Sequence, residues 1–242
     1  MAWGHSRQTL AARPPPREGA SVSEQRVTRW MGPLGLAILV LLLLGFVGLS
    51  GGSPGGNASG ASVVSYYNGH QSAGWAQVYL VGLALGLMVL FVTQLREVLR
   101  GAEGRRSFLP NAVFAAGIVF VAGAVSSGVF VVAILLAAHN HQPGIAQTLN
   151  FISSNDGLPL LFGMALLTLT TGAAILNRSS LPRWLGWLSV AIGVVTVAGP
   201  LSWFGFMASG IWLPVLGFVI ASKSKTIAKP SVTDRPPAMA VR

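Results

Sequence analysis

The chain has 242 residues, of which 52% are hydrophobic and only 9% are charged. Soluble domains usually carry about 25% charged residues, so this composition excludes an ordinary soluble domain. A formal net charge of +10 would suggest nucleic-acid binding if the charges formed one basic patch. They are instead confined to short segments between apolar stretches, and we predict no nucleic-acid partner. The absence of cysteine excludes disulfides and a thiol nucleophile.

Two tails flank the apolar part of the chain. Residues 1–28 are rich in Arg and Pro and are predicted to form a disordered cytoplasmic tail. Residues 223–242 are predicted to form a second, basic tail on the same side. Between them, residues 29–222 are predicted to form an all-α transmembrane domain.

This domain contains long apolar stretches without charged residues. A helix needs about 20 mainly apolar residues to cross a bilayer. The predicted spans, in chain order, are 32–50, 75–95, 109–138, 157–176, 184–199 and 205–222. Pro200 and the turn residues around it separate the last two spans. The third span is longer than a bilayer requires and is expected to tilt or protrude. The fold class is therefore a polytopic bundle of six transmembrane helices.

Two links between spans show helical spacing of apolar residues. These residues are Val63, Val64 and Tyr67 in the first link and Ile145, Leu149 and Ile152 in the second. The spacing predicts short outer amphipathic helices that lie in the membrane interface or cover the bundle. Alternatively, they form a lid over an outward-facing cavity.

The basic residues predict the orientation of the bundle. All 16 Lys and Arg residues fall in the segments 1–29, 96–106, 178–183 and 223–242. The links 50–74, 139–156 and 199–206 contain none. With six crossings, every basic segment lies on one face, which the positive-inside rule makes cytoplasmic. Both termini are therefore predicted inside, with anionic lipids as partners of the inner face.

The sequence "AAHNHQPGIAQ" (137–147) places two histidines at the end of the third span. Helical residues two apart point in different directions, so His139 and His141 suit a helix terminus better than a metal site. The alternative is a zinc-type site on the outer face, to which His70 and Asp156 would contribute the remaining ligands. Asp156 also suits the N-terminus of the fourth helix.

The predicted spans contain no ionisable side chain, which does not favour a proton-coupled pump. Their polar residues are expected to bond within the helices, although they could line an outward cavity. They include Asn111, Ser126, Ser127, Thr168, Thr170, Thr171 and Thr196. No HExxH motif, phosphate-binding glycine loop or intramembrane haem histidine occurs. We therefore predict no catalytic residues, no cofactor and no enzymatic activity.

Small residues at a spacing of four occur in two spans. Gly82 and Gly86 form a GxxxG motif, and Gly123 with Ser127 forms a related pair. Both motifs permit close approach of two helices, and we expect them to serve packing within the chain. Dimerisation through them is the alternative.

The stretches "SSLPRWLGWLSVAIGV" (179–194) and "TQLREVLRGAEG" (93–104) carry a family resemblance. Together with the hydropathy of residues 62–222, they resemble a loose group of six-helix membrane proteins of actinobacteria, a family of unknown function. The resemblance implies six helices and a bacterial plasma membrane. It implies no catalytic or binding residues.

These observations predict an integral membrane protein that acts as a non-enzymatic small-molecule, lipid or partner-binding component. One alternative is a transporter-like protein with an outward-facing cavity lined by Ser and Thr. Another is a metal-dependent membrane enzyme that uses the outer histidines and Asp156.

Overall fold

The structure, a computed structural model, describes residues 30–49, 51–103, 108–178 and 181–227. In this part of the chain every regular element is helical. The predicted tail 1–28 lies outside the described residues, as does 228–242 of the second tail. The first residues of that second tail continue a helix to Ile227.

The described residues form eight α-helices. In chain order they are α1 (Met31–Leu43), α2 (Gly60–Gly69), α3 (Gln71–Glu103), α4 (Leu109–His139), α5 (Pro143–Asn155), α6 (Leu158–Arg178), α7 (Arg183–Val197) and α8 (Ser202–Ile227). A π-helical turn, Leu44–Gly48, extends α1, and a 3-10 turn, Gly199–Leu201, precedes α8.

Within the described residues, five segments are long and apolar enough to cross a membrane. They are Met31–Gly48, Gln71–Gly101, Leu109–His139, Pro143–Asn177 and Gly199–Lys223, and α7 is a shorter apolar helix of 15 residues. The prediction of a polytopic helical bundle is confirmed, and the protein is membrane-embedded. The break near Pro200 is also confirmed, because Gly199 adopts a left-handed conformation (φ 55°) between α7 and α8.

The long helices form a closed ring in chain order. Helices α1, α3, α4, α6, α7 and α8 each pack against the next, and α8 packs against α1. Large side chains such as Phe91, Phe120 and Trp212 fill the centre and are almost fully buried. The outward surface is equally apolar, with Leu83 and Phe218 at least half exposed. An apolar exterior of this kind matches a lipid environment.

Glycine allows the closest approach between helices in the ring. A methyl group at Gly163 of α6 would lie 2.5 Å from the Cα atom of Phe120 on α4. Gly123 similarly faces the backbone of Pro159, as expected of a packing residue. The expectation for the GxxxG motif is wrong, because methyl groups at Gly82 and Gly86 would meet no heavy atom within 4 Å.

Helix α3 is longer than the predicted span 75–95 and includes part of the charged link. Beyond the apolar span, Leu99 is fully buried, which ties the extension to the core. The Glu97 carboxylate lies 3.7 Å from Arg96 and 3.6 Å from Arg100. Arg96 also donates to the Asn111 side chain of α4 at 3.0 Å. Apolar burial and charge pairing therefore continue the helix past the apolar span.

Candidate functional site

One end of the bundle carries a substructure that we call the cap. It consists of residues 51–70 and 140–157, including α2 and α5, packed on the end of α4. Its small apolar core comprises Val63 of α2, Ile134 and Ala137 of α4 and Ala146 of α5. We call the opposite end, which carries Arg96, Arg100 and Arg183, the basic end. The predicted short helices of both links are confirmed.

Helix α5 runs back along the end of α4. The first residue of α5, Pro143, comes just after His139, the last residue of α4. The other end of α5 lies beside Ser127 of α4, because Asp156, the residue after α5, contacts Ser127. Ser127 and His139 are 139 − 127 = 12 residues apart, or about 18 Å along the helix axis. The last three turns of α4 are thus covered by α5, which accounts for the excess length of the third span.

Hydrogen bonds fix the loop 51–59 to these helices. The Asn150 side chain of α5 is 3% exposed and donates to the Gly55 carbonyl at 2.9 Å. The Tyr66 hydroxyl donates to the Gly51 carbonyl at 3.1 Å, and Ser59 caps the start of α2 by accepting from Ser62 N–H at 3.3 Å. The loop therefore has a defined path across the cap.

Tyr67 belongs to the partly buried rim of the cap core. Its ring packs edge to face on Tyr66, with 5.2 Å between centroids. Burial raises the pKa of Tyr67 above its ordinary value of 10.0, and the neighbouring Tyr66 hydroxyl adds to this increase. The cap therefore favours the neutral phenol.

Two of the predicted metal ligands, His70 and His139, lie at the end of the bundle that carries the cap. His70 follows α2, donates from Nδ1 to the Tyr66 carbonyl at 2.9 Å and stacks on the Tyr66 ring at 4.4 Å. His139 Nδ1 lies 3.3 Å from the side-chain nitrogen of Gln71, the residue after His70. Both rings are exposed. These contacts are typical of helix ends.

The other two predicted ligands do not complete a metal site. His141 is exposed and adopts a left-handed conformation (φ 50°) in the turn before α5. The Asp156 carboxylate accepts a hydrogen bond from Ser127 at 3.0 Å, three helical turns below His139. Within the described ranges, no three His, Cys, Asp or Glu side chains are grouped so that they could hold a metal ion.

The buried face of α5 differs from the one expected from apolar spacing. Ala146 and Asn150 are buried, whereas Ile145 is 52% exposed and Ile152 is 39% exposed. Leu149 alone of the predicted stripe packs against the cap core. The buried face instead carries the Asn150 amide, which donates to the Gly55 carbonyl.

A depression of about 340 Å³ lies between the loop 51–59 and α5. It is lined by Gly56, Asn57, Gln147, Thr148 and Phe151. We call it the cap groove. None of these residues was a predicted site residue, because the loop and α5 are remote in sequence and neither carries a known motif. The one indication of the groove in the sequence was the polar pair Gln147 and Thr148, close to the aromatic residue Phe151.

Buried hydroxyl groups within the bundle bond mainly to their own helices. Thr168, Thr196 and Ser209 each donate to the carbonyl four residues earlier, at 2.8–3.0 Å. Ser189 does the same and also accepts from the Trp212 indole at 2.8 Å, which links α7 to α8. The Thr171 hydroxyl is buried without a hydrogen-bond partner. This pattern matches the predicted structural use of these hydroxyls.

No protein-family model, curated protein or solved structure matches the chain.

Proposed function

We propose that the protein is a non-enzymatic binding component of the bacterial plasma membrane that uses its cap to hold a small molecule, a lipid or a partner protein. The observation that carries this proposal is the cap groove, whose loop wall is tied to α5 by the buried Asn150 amide. A surface held in one geometry loses little conformational entropy on binding.

The cap faces the outside in this proposal, and both termini are cytoplasmic. Its support is the sequence of the cap, which has no Lys or Arg, together with the arginines of the basic end. Reporter fusions at positions 60, 102, 148, 180 and 230 test the orientation. We expect cytoplasmic signals at 102, 180 and 230 only. A cytoplasmic signal at 148 contradicts the orientation.

The two other functions have less support. Transport along a path lined by hydroxyls needs open space beside those hydroxyls, yet Thr168 and Thr196 are 0% exposed. A methyl group at Gly193 would come within 2.8 Å of the Thr168 hydroxyl, so α6 and α7 are in close contact there. A metal-dependent enzyme needs converging ligands, and Asp156 bonds to Ser127 instead.

Native mass spectrometry of protein purified from membranes tests the binding function. We expect the wild-type protein to retain a bound species of defined mass. Asn150→Ala, which frees the loop from α5, should lose it. Asn155→Ala is the matched control, because Asn155 is an exposed amide that bonds only to the Phe151 carbonyl of its own helix. A wild-type protein without any bound species, together with uptake of a solute by vesicles, would favour transport instead.

A further inference from the structure

We propose that the cap groove binds the neutral pyranose ring of a hexose, an inference that rests on the proposed binding function and names its ligand class. Three properties of the groove favour this ligand class: a fixed width, neutral hydrogen-bonding side chains and one exposed aromatic ring.

The width is fixed because the loop touches α5 at two consecutive residues, Gly55 and Gly56. A methyl group at Gly56 would lie 2.9 Å from the Cβ atom of Ser154, so any larger residue would push the loop off the helix. Gly55 itself accepts the hydrogen bond of the buried Asn150 amide at 2.9 Å. The two walls of the groove are therefore set before a ligand arrives.

The polar groups of the groove match the hydroxyls of a sugar. Asn57 and Gln147 each offer a carbonyl oxygen that accepts and an amide group that donates, as adjacent sugar hydroxyls require. The Thr148 hydroxyl donates to the Gly144 carbonyl at 3.0 Å, which leaves its oxygen as an acceptor. Phe151 is 53% exposed and presents an apolar ring to the C–H face of a pyranose.

The charge of the cap favours a neutral ligand. The five lining residues carry no ionisable group. The segments 51–70 and 140–157 contain no Lys or Arg, and Asp156 is their single carboxylate in the sequence. A phosphate or carboxylate ligand would find no cation in these segments to pair with, whereas a sugar needs none.

The hexose ring belongs to a free saccharide or to a glycolipid headgroup, and the experiment has one arm for each. The full-length protein is placed in phosphatidylcholine nanodiscs. Saturation-transfer NMR with the methyl glycosides of glucose, galactose and mannose tests the free sugar. Native mass spectrometry of nanodiscs that also contain monoglycosyl diacylglycerol tests the headgroup. We expect binding in at least one arm.

Substitutions within the groove should weaken that binding. We expect Phe151→Ala and Gln147→Ala to lower the affinity about tenfold, as loss of a principal contact does. Both side chains are exposed, so the fold should survive, and Asn57→Ala gives a third test from the loop. Phe162→Ala is the matched control, because Phe162 is 60% exposed on α6 and does not line the groove.

Three outcomes would overturn the inference. The first is the absence of binding in both arms, and the second is equal binding by Phe151→Ala and Phe162→Ala. The third is a species on the purified wild-type protein that contains no sugar, such as a peptide or another lipid. That third result leaves the proposed binding function intact, whereas the absence of any bound species removes both.

Discussion

Polar side chains serve different purposes in the membrane-embedded bundle and in the cap. In the bundle, the buried hydroxyls of Thr168, Thr196 and Ser209 donate to carbonyls four residues earlier on the same helix. In the cap, the side chains of Tyr66 and Asn150 donate to loop carbonyls 15 and 95 residues away. The bundle thus relies on packing between helices, and the cap relies on hydrogen bonds between separate segments.

The two environments explain this difference. Inside a bilayer the lipid tails are as apolar as the helix surfaces, so close packing of small residues stabilises helix contacts. At the end of the bundle, a loop without regular structure has backbone groups with no partner in a helix, and the side chains of Tyr66 and Asn150 supply one. Substitutions that add volume should therefore affect the bundle most, and substitutions that remove a hydrogen bond should affect the cap most.

The largest effect is expected for Gly163→Val in the bundle. The new Cβ atom would lie 2.5 Å from the Cα atom of Phe120, a backbone atom that moves only with its helix. We expect a loss of about 3 kcal/mol in the free energy of unfolding, measured by denaturation in mixed micelles.

Gly86→Val is the matched control for this substitution. It makes the same change at a position where the new Cβ atom meets nothing within 4 Å. We expect no loss, and a gain of less than about 1 kcal/mol, because valine has a higher helix propensity than glycine. A loss as large as that of Gly163→Val would show that the exposed face of α3 contacts another chain.

A smaller effect is expected for Asn150→Ala in the cap. The Gly55 carbonyl would lose its donor, but Gly55 is exposed and water can take the donor's place, so we expect the loss of about 1 kcal/mol that a typical hydrogen bond contributes. Hydrogen exchange should increase in residues 51–59 and 143–155 and remain unchanged in α7. Faster exchange throughout the bundle would contradict the division between cap and bundle.

A still smaller effect is expected for Ser189→Ala, which removes the acceptor of the Trp212 indole N–H between α7 and α8. Hydrogen bonds between membrane helices average about 0.6 kcal/mol, so we expect a loss of this size. Ser209→Ala is the control, because Ser209 is a buried serine that bonds to Gly205 of its own helix. Equal losses for the two variants would show that the link between helices adds no stability.

Much of the fold could be predicted from the sequence. Apolar residues lie within the bilayer and Lys and Arg lie outside it, so the two patterns together locate the membrane-spanning helices. Which side of a helix faces the core could not be predicted. Leu83 is 56% exposed and Leu85 is buried, although both are leucine. Lipid and the protein core both favour apolar side chains, so hydropathy does not distinguish the two faces of a helix. The same ambiguity explains why Gly82 and Gly86 were expected to pack within the chain.

The candidate site was less predictable for a different physical reason. The positions of His70, His139, His141 and Asp156 in or next to the links between the predicted spans did not reveal their depth. Helix α5 folds back along α4 and carries Asp156 to Ser127, away from the histidines. The cap groove depends on Asn150, a polar residue whose burial follows only from the path of a loop far away in sequence.

The smallest effect is expected from the titration of Tyr67 in the cap. Because burial raises the pKa of Tyr67 in the folded cap above 10.0, the folded state holds its proton more tightly than the unfolded state. The neutral Tyr67 phenol therefore stabilises the folded cap fully below pH 10, and this contribution is lost as the pH rises above 10. Protease resistance of the cap should therefore decline above pH 10, and Tyr67→Phe should reduce this decline. Tyr79→Phe, at a position 72% exposed on α3, should leave it unchanged. The same decline in wild type and Tyr67→Phe would place the alkaline sensitivity elsewhere in the protein.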